Sequence, residues 1–193
     1  MTSLDALFQQ LRSSINVERL VERTQAMVRI RSENPFSKPP SEGMRELEMA
    51  NFLERSMAEL GLDTNRHDVV PDRPNVWGEL RGSGDGPTLM LAAHLDTVDS
   101  EGYPDAYDPF VKEGRIYGRG SCDMKATFAA YLEVAEILQN SGHALPGNLL
   151  LVGVADEEFQ MIGSTHFGQM DHPADFCIVG EPTNLNICPA HKG

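Results

Sequence analysis

Cysteine is scarce in this chain of 193 residues, which holds three: Cys122, Cys177 and Cys188. An odd number with no C-x-x-C spacing argues against a disulfide framework and against a thiolate zinc finger. Basic residues are also few, 16 Lys and Arg against 29 Asp and Glu, leaving a net charge of −13. Nucleic acids and anionic membranes both select clustered cations, so neither is expected as a partner. No stretch approaches the ~20 apolar residues of a membrane span. In the N-terminal MTSLDALFQQLR, Asp5 stands where a signal peptide needs an apolar run. The sequence has no internal repeat and no low-complexity tract. A reduced, cytoplasmic setting is the expectation.

What is present is an ordinary globular balance, 40% hydrophobic and 23% charged. The length suits one well-packed domain and is somewhat long for only one. The acidity has a plain reading, a soluble surface, and a sharper one, that a few acids hold cations. The two are compatible.

Apolar spacing predicts a helix from the N-cap Asn16 to Ile30, with Val17, Leu20, Val21 and Val28 on one side. Pro35, Pro39 and Pro40 then force a loop. A second helix is expected over 41–60, ending at Gly61, which occupies a C′ position. The period then changes to that of strands at 64–70 and 75–81, separated by a turn at Pro71-Asp72-Arg73-Pro74. The glycines of Gly82-Ser83-Gly84-Asp85-Gly86-Pro87 resemble a dinucleotide-binding loop only superficially. A proline and a strand follow them, where that motif requires a helix. A strand at 88–93, a helix at 124–139 and a doubly buried strand at 148–155 come next. A short helix over 164–170 and a second buried strand at 175–179 complete the pattern. Helices alternating with apolar strands indicate an α/β domain with a mixed, largely parallel sheet. Its reactive groups are expected beyond the strand ends.

Polar clusters stand at or near those ends. In Ala93-His94-Leu95-Asp96-Thr97, His94 and Asp96 point to one side of an extended segment, where a carboxylate can fix the tautomer of a metal-binding imidazole. In Gly118-Arg119-Gly120-Ser121-Cys122-Asp123-Met124-Lys125, glycines permit a tight turn and Asp123 enters a helix. That aspartate is either a cap or a carboxylate able to bridge two cations. Asp156-Glu157-Glu158 follows the most apolar strand, where three desolvated acids repel unless something positive is near. Glu181 follows the last strand. Each cluster alone reads as solvated loop. Together, histidine plus carboxylates without thiolate is a donor set for zinc in a hydrolytic site. Two ions ~3.5–4 Å apart need a bridging carboxylate and a base for the water between them. Adjacent Glu157 and Glu158 can divide such work.

The four clusters, in this order, resemble the zinc-dependent family of acetylornithine deacetylase, succinyl-diaminopimelate desuccinylase, aminoacylase and glutamate carboxypeptidase. The run from Gly118 to Lys125 is especially close to the deacetylase and desuccinylase branch. The resemblance implies a three-layer zinc-peptidase-like catalytic domain and two zinc ions, with cobalt or manganese as substitutes. By the same resemblance His94 and Glu181 bind one ion, Asp96 orients His94, and Asp123 bridges both ions ahead of a cis peptide. Glu158 binds the second ion and Glu157 is the general base and acid. The implied reaction is hydrolysis of an amide in an N-acyl amino acid or small peptide through a zinc-activated water.

Family members are about twice this length, and two further histidines, one from a lid domain and one from C-terminal segments, complete their sites. Residues 1–193 are therefore expected to be the N-terminal portion of the catalytic domain, incomplete at the C-terminus, with the second metal site short of a ligand. His191 lies in the wrong motif to replace it. Weak or no activity is expected of the chain alone, and uncovered sheet edges favour self-association into a homo-oligomer. Two rival readings stand: a non-catalytic metal-binding or interaction fragment, and a fold-only relative whose acids are merely solvated. His67, His143, His166 and His172 are expected to be solvated, Trp77 to be packed, and Cys122 to be a small buried filler.

Overall fold

The structure, a computed structural model, describes residues 3–36, 46–171 and 174–189. Helices α1 (Ser3–Ser13), α2 (Val17–Val28) and α3 (Leu47–Glu59) come first, then strands β1 (Asp63–Val70), β2 (Arg73–Leu80) and β3 (Leu89–His94). A small hairpin, β4 (Phe110–Lys112) and β5 (Arg115–Tyr117), precedes α4 (Lys125–Asn140), β6 (Leu149–Val154), α5 (Ile162–Phe167) and β7 (Phe176–Val179).

The long strands form a five-stranded sheet in the order β1-β2-β6-β3-β7. The β1–β2 and β2–β6 pairings are antiparallel, whereas β6–β3 and β3–β7 are parallel. The sheet is thus mixed, in an α/β architecture. Alternation along β6 shows how the layers assemble. Leu149 and Leu151 join Leu53, Met57, Phe128 and Leu132 in the main core, under α3 and α4. Leu150, Val152 and Val154 pack on the opposite face with Trp77 and Phe167, the latter from α5. Leu53, Met57 and Leu132 are wholly buried, and each such side chain contributes roughly 1.5–3 kcal/mol of transfer free energy. Gly153 keeps the main core close-packed, since a Cβ there would lie 2.8 Å from Leu95 Cδ2.

Helix α2 starts as its sequence dictates, with the Asn16 side chain accepting the Arg19 N–H at 3.0 Å. Its polar side is tied to α4, where buried Glu133 accepts from the Asn16 N–H and from Arg19 and Arg23. Helix α3 ends at Gly61, whose φ of +79° is the left-handed stop that a glycine tolerates. No helix among the described residues is long and apolar enough to cross a membrane.

Several expectations need correction. The turn between β1 and β2 is only Pro71-Asp72, and Arg73 already begins the strand. The helix expected over 41–60 is seen from Leu47 onward, and residues 41–45 lie outside those described, as do Pro39, Pro40, His172 and His191. Val17 is exposed at the start of α2, and the buried face there is Thr24, Met27 and Val28. The short helix expected over 164–170 spans Ile162–Phe167. Helix α1 and the β4–β5 hairpin had no sequence expectation. Strand β7 was expected to be buried, yet Phe176, Ile178 and Val179 are 63%, 52% and 58% exposed. It is the edge strand beyond β3, so apolar composition alone could not fix its burial. Cys122, expected to be buried, is exposed in the loop before α4. His67 is exposed as expected, but His166 is half-buried and stacks on it, ring centroids 4.5 Å apart.

Candidate metal centre

Three neighbouring parallel strands bring the chemistry to one edge. In their register His94, the last residue of β3, lies opposite Val154 of β6, and Ala92 lies opposite Val179 of β7. The ladder continues past the strands, with the Leu95 N–H donating to Val154 O and the Gly180 N–H donating to Ala92 O. Glu157 and Glu158 leave the end of β6 and Glu181 leaves the end of β7, so both loops open beside His94. This is the carboxyl-end crevice of an α/β sheet.

Asp123 arrives from the loop before α4. That loop turns through Gly118 and Gly120, with φ of +146° and +81°. A Cβ on Gly120 would lie 2.9 Å from Lys125 Cδ, so glycine there serves packing as well as conformation. The peptide bond between Asp123 and Met124 is cis. Asp123 does not cap α4; the N-cap is Met124, which makes no side-chain cap bond. Lys125, wholly buried, sends Nζ to the carbonyls of Met27 and Ile30 at the end of α2, at 3.1 and 2.6 Å. Burial pushes its amine down to about 7, against the pull of Glu33.

His94 is the hub. Its Nε2 lies 2.9 Å from Asp123 Oδ1, 3.8 Å from Glu157 Oε2 and 3.8 Å from Glu181 Oε1. Donor atoms of His94, Glu157 and Glu181 all fall within 4.8 Å of one another, as do those of His94, Asp123 and Glu158. The structure therefore gathers His94, Asp123, Glu157, Glu158 and Glu181 into one cluster. Asp96 has a different place. His94 Nδ1 meets the backbone carbonyl of Asp96 at 2.9 Å, and the carboxylate is farther, at 3.6 Å. That carboxylate instead accepts the backbone N–H groups of Glu157 and Glu158, each at 3.1 Å.

The electrostatics describe a site with too much negative charge. Burial alone would lower His94, but the hydrogen bond to Asp123 and the charges of Asp96, Asp123 and Glu157 outweigh it. The imidazole is pushed up to about 9. Burial pushes Glu158 up to about 7, and nearby Asp123, Asp96 and Glu157 add to it against the opposing charge of His94. The bond to His94 holds Asp123 below the usual carboxylate range. A proton on His94 supplies a single positive charge to four carboxylates. A divalent cation would offset more of that charge, and imidazole with carboxylate oxygens is a donor set suited to zinc and its neighbours. The residues fit the group.

Sequence reasoning missed the groups behind the cluster. Asp156 is not a ligand candidate; its buried carboxylate accepts from Arg73, which also pairs with buried Glu46. Asn34 donates to both Asp96 and Asp156. The only signal was three adjacent acids that needed a positive neighbour. Nothing in the sequence marked Arg73 as that neighbour.

A mixed α/β sheet with histidine and carboxylates gathered at its parallel strand ends is the arrangement of a metallohydrolase domain. Residues 90–190 match the model of Peptidase family M20/M25/M40, and the chain belongs to that family. It is 36% identical to acetylornithine deacetylase from Vibrio vulnificus over 140 residues, 70% of this chain and 36% of that protein. It is 31% identical to N-formyl-4-amino-5-aminomethyl-2-methylpyrimidine deformylase from Bacillus subtilis over 155 residues, 77% of this chain and 36% of that one. In fold it is similar to human carnosine dipeptidase 1, with a TM-score of 0.76 at 20% identity, covering 92% of this chain and 41% of that chain. A tripeptidase from Staphylococcus aureus gives 0.68 at 26% identity, covering 86% and 43%. The chain thus spans well under half the length of each of these proteins.

Proposed function

We propose that these residues are the N-terminal portion of the catalytic domain of a dinuclear zinc hydrolase. Its reaction is cleavage of an amide bond in an N-acyl amino acid or small peptide. The observation that supports this best is the convergence of His94, Asp123, Glu157, Glu158 and Glu181 at three adjacent strand ends. The relatives fit, being a deacetylase, a deformylase and peptidases.

His94 and Glu181 would hold one ion, Glu158 the other, and Asp123 both. When bound, the ions supply Lewis acidity that brings the pKa of water from ~15.7 toward ~7. The chain's own residues do the rest. A proton on His94 Nδ1, donated to the Asp96 carbonyl, leaves Nε2 as the free ligand atom. Glu157, partly exposed beside that nitrogen, accepts the proton of the attacking water on a carboxylate oxygen and returns it to the departing amine. Asp96 fixes where Glu157 and Glu158 start, through their backbone N–H groups.

The remaining ligand and the substrate-gripping groups are proposed to come from outside these residues, the substrate being a small molecule and the setting cytoplasmic. A second reading, a metal-binding fragment without turnover, draws on the same donor cluster. Turnover of an N-acetyl amino acid with zinc or cobalt separates the two. Activity that appears when C-terminal segments of a complete relative are supplied in trans supports the hydrolase. Zinc binding with no turnover under that complementation supports the fragment.

A further inference from the structure

Asn34 is wholly buried and stands between two buried carboxylates. Its Nδ2 donates to Asp96 Oδ2 at 2.7 Å and to Asp156 Oδ1 at 3.0 Å. Its Oδ1 accepts the Phe36 N–H at 2.9 Å. This pattern admits one amide orientation, because reversing it would set an acceptor oxygen against two carboxylates. The backbone is pinned as well, the Asn34 N–H donating to Thr97 O at 2.8 Å and the Thr97 N–H to Ser32 O at 3.0 Å.

From Asn34 the bonds run outward to the cluster. Asp96 takes the N–H groups of Glu157 and Glu158 on its two oxygens. Asp156, the residue before them, sits at a φ of +65° and is fastened from behind by Arg73 at 2.8 Å. One amide group therefore keeps two like charges side by side and braces the turn that presents both glutamates. An aliphatic side chain there would take one donor from each of Asp96 and Asp156 and remove the link between them.

We propose that Asn34 is a positioning residue for the metal centre, setting ion affinity by locking Asp96 and Asp156 and, through them, the backbone of Glu157 and Glu158. This rests on the metal-centre reading above. Partners bonded directly to ligands change metal affinity about 10- to 100-fold when removed, and Asn34 acts one bond further back, through Asp96.

The test is cobalt titration of the unaltered chain, of Asn34→Ala and of Met57→Ala, following visible absorption, with thermal melting of each metal-free protein. Met57 lies in the core beside Gly78, which pairs with Leu151, three residues before the end of β6 at Val154. Asn34→Ala is expected to bind cobalt about 10-fold more weakly, the lower end of that range, with an altered spectrum. Met57→Ala should melt lower but keep its affinity, as distant sites act independently. Unchanged cobalt binding by Asn34→Ala, or an equal loss in Met57→Ala, overturns the proposal. If the unaltered chain binds no cobalt, the metal reading falls and this inference with it. If Asn34→Ala does not fold, the side-chain amide of Asn34 in the 15N-labelled unaltered chain decides. Its two protons should exchange slowly and shift on zinc binding, and an amide that ignores zinc overturns the assignment.

Discussion

His94 and Asp123, 29 residues apart in sequence, meet through Nε2 and Oδ1 at 2.9 Å. The contact uses the same ring nitrogen that an ion would take, so the bond and the ion compete. With its imidazole pushed up to about 9 by Asp123, Asp96 and Glu157 against burial, His94 is protonated at neutral pH in the metal-free chain.

Zinc binding near pH 7 should therefore expel protons. An ion requires neutral imidazole, so affinity is expected to rise with pH and to level off above about 9. Glu158, at about 7, adds a smaller release. Calorimetry in buffers of differing ionisation enthalpy measures the count. Binding with no proton release at pH 7 would contradict the charge state assigned to His94.

Glu157 and Glu158 are neighbours with separate assignments, and substitution should separate them. Glu157→Gln is expected to leave zinc affinity within about tenfold while cutting turnover of the completed enzyme by about 10²–10⁴. Glu158→Gln should weaken zinc binding first. The same profile for both variants would sink the division of labour.

Arg73 stands between two acids that cannot reach water, Glu46 at 0% and Asp156 at 1% side-chain exposure. Their charges and hydrogen bonds outweigh its burial and keep the guanidinium firmly protonated. Arg73→Met removes the partner of both, and breaking such a buried pair costs about 3–5 kcal/mol. Chemical denaturation checks the figure; a loss under about 1 kcal/mol would mean that water reaches these acids.

Glu133 ties α4 to α2. Burial raises its pKa, but the bond from Arg19, the Asn16 N–H and the charges of Arg19 and Arg23 prevail, and the net direction is down. A depressed carboxylate contributes stability above its unfolded pKa, here near 4.5, and loses it as pH falls through the folded value. Glu133→Gln is expected to cost about 1–3 kcal/mol at pH 7. The gap to the unaltered chain should close in acid below that pKa. A gap independent of pH would show that packing, not charge, is what Glu133 provides.

The sequence carried the architecture where its signals were local. Asn16 as a cap, Gly61 as a helix stop and the apolar run of β6 each act within a few residues, and each is found where expected. Burial of β7 was not legible, because exposure of an edge strand depends on what lies beside it. The exposure of Cys122 followed from a loop path that composition does not encode. Asn34 and Arg73 were invisible for another reason. They act on Asp96 and Asp156 across 62 and 83 residues, and no spacing rule joins such partners. The order of His94, Asp123, Glu157, Glu158 and Glu181 could be read, whereas their distances depended on the parallel register of β3, β6 and β7.

Zinc titration of the metal-free chain, alongside His94→Ala, is the most direct test of whether these side chains form a centre. At least one stoichiometric site is expected in the unaltered chain, lost or severely weakened when the imidazole is removed. A chain that takes up no zinc, or binds it equally well without His94, would contradict the account.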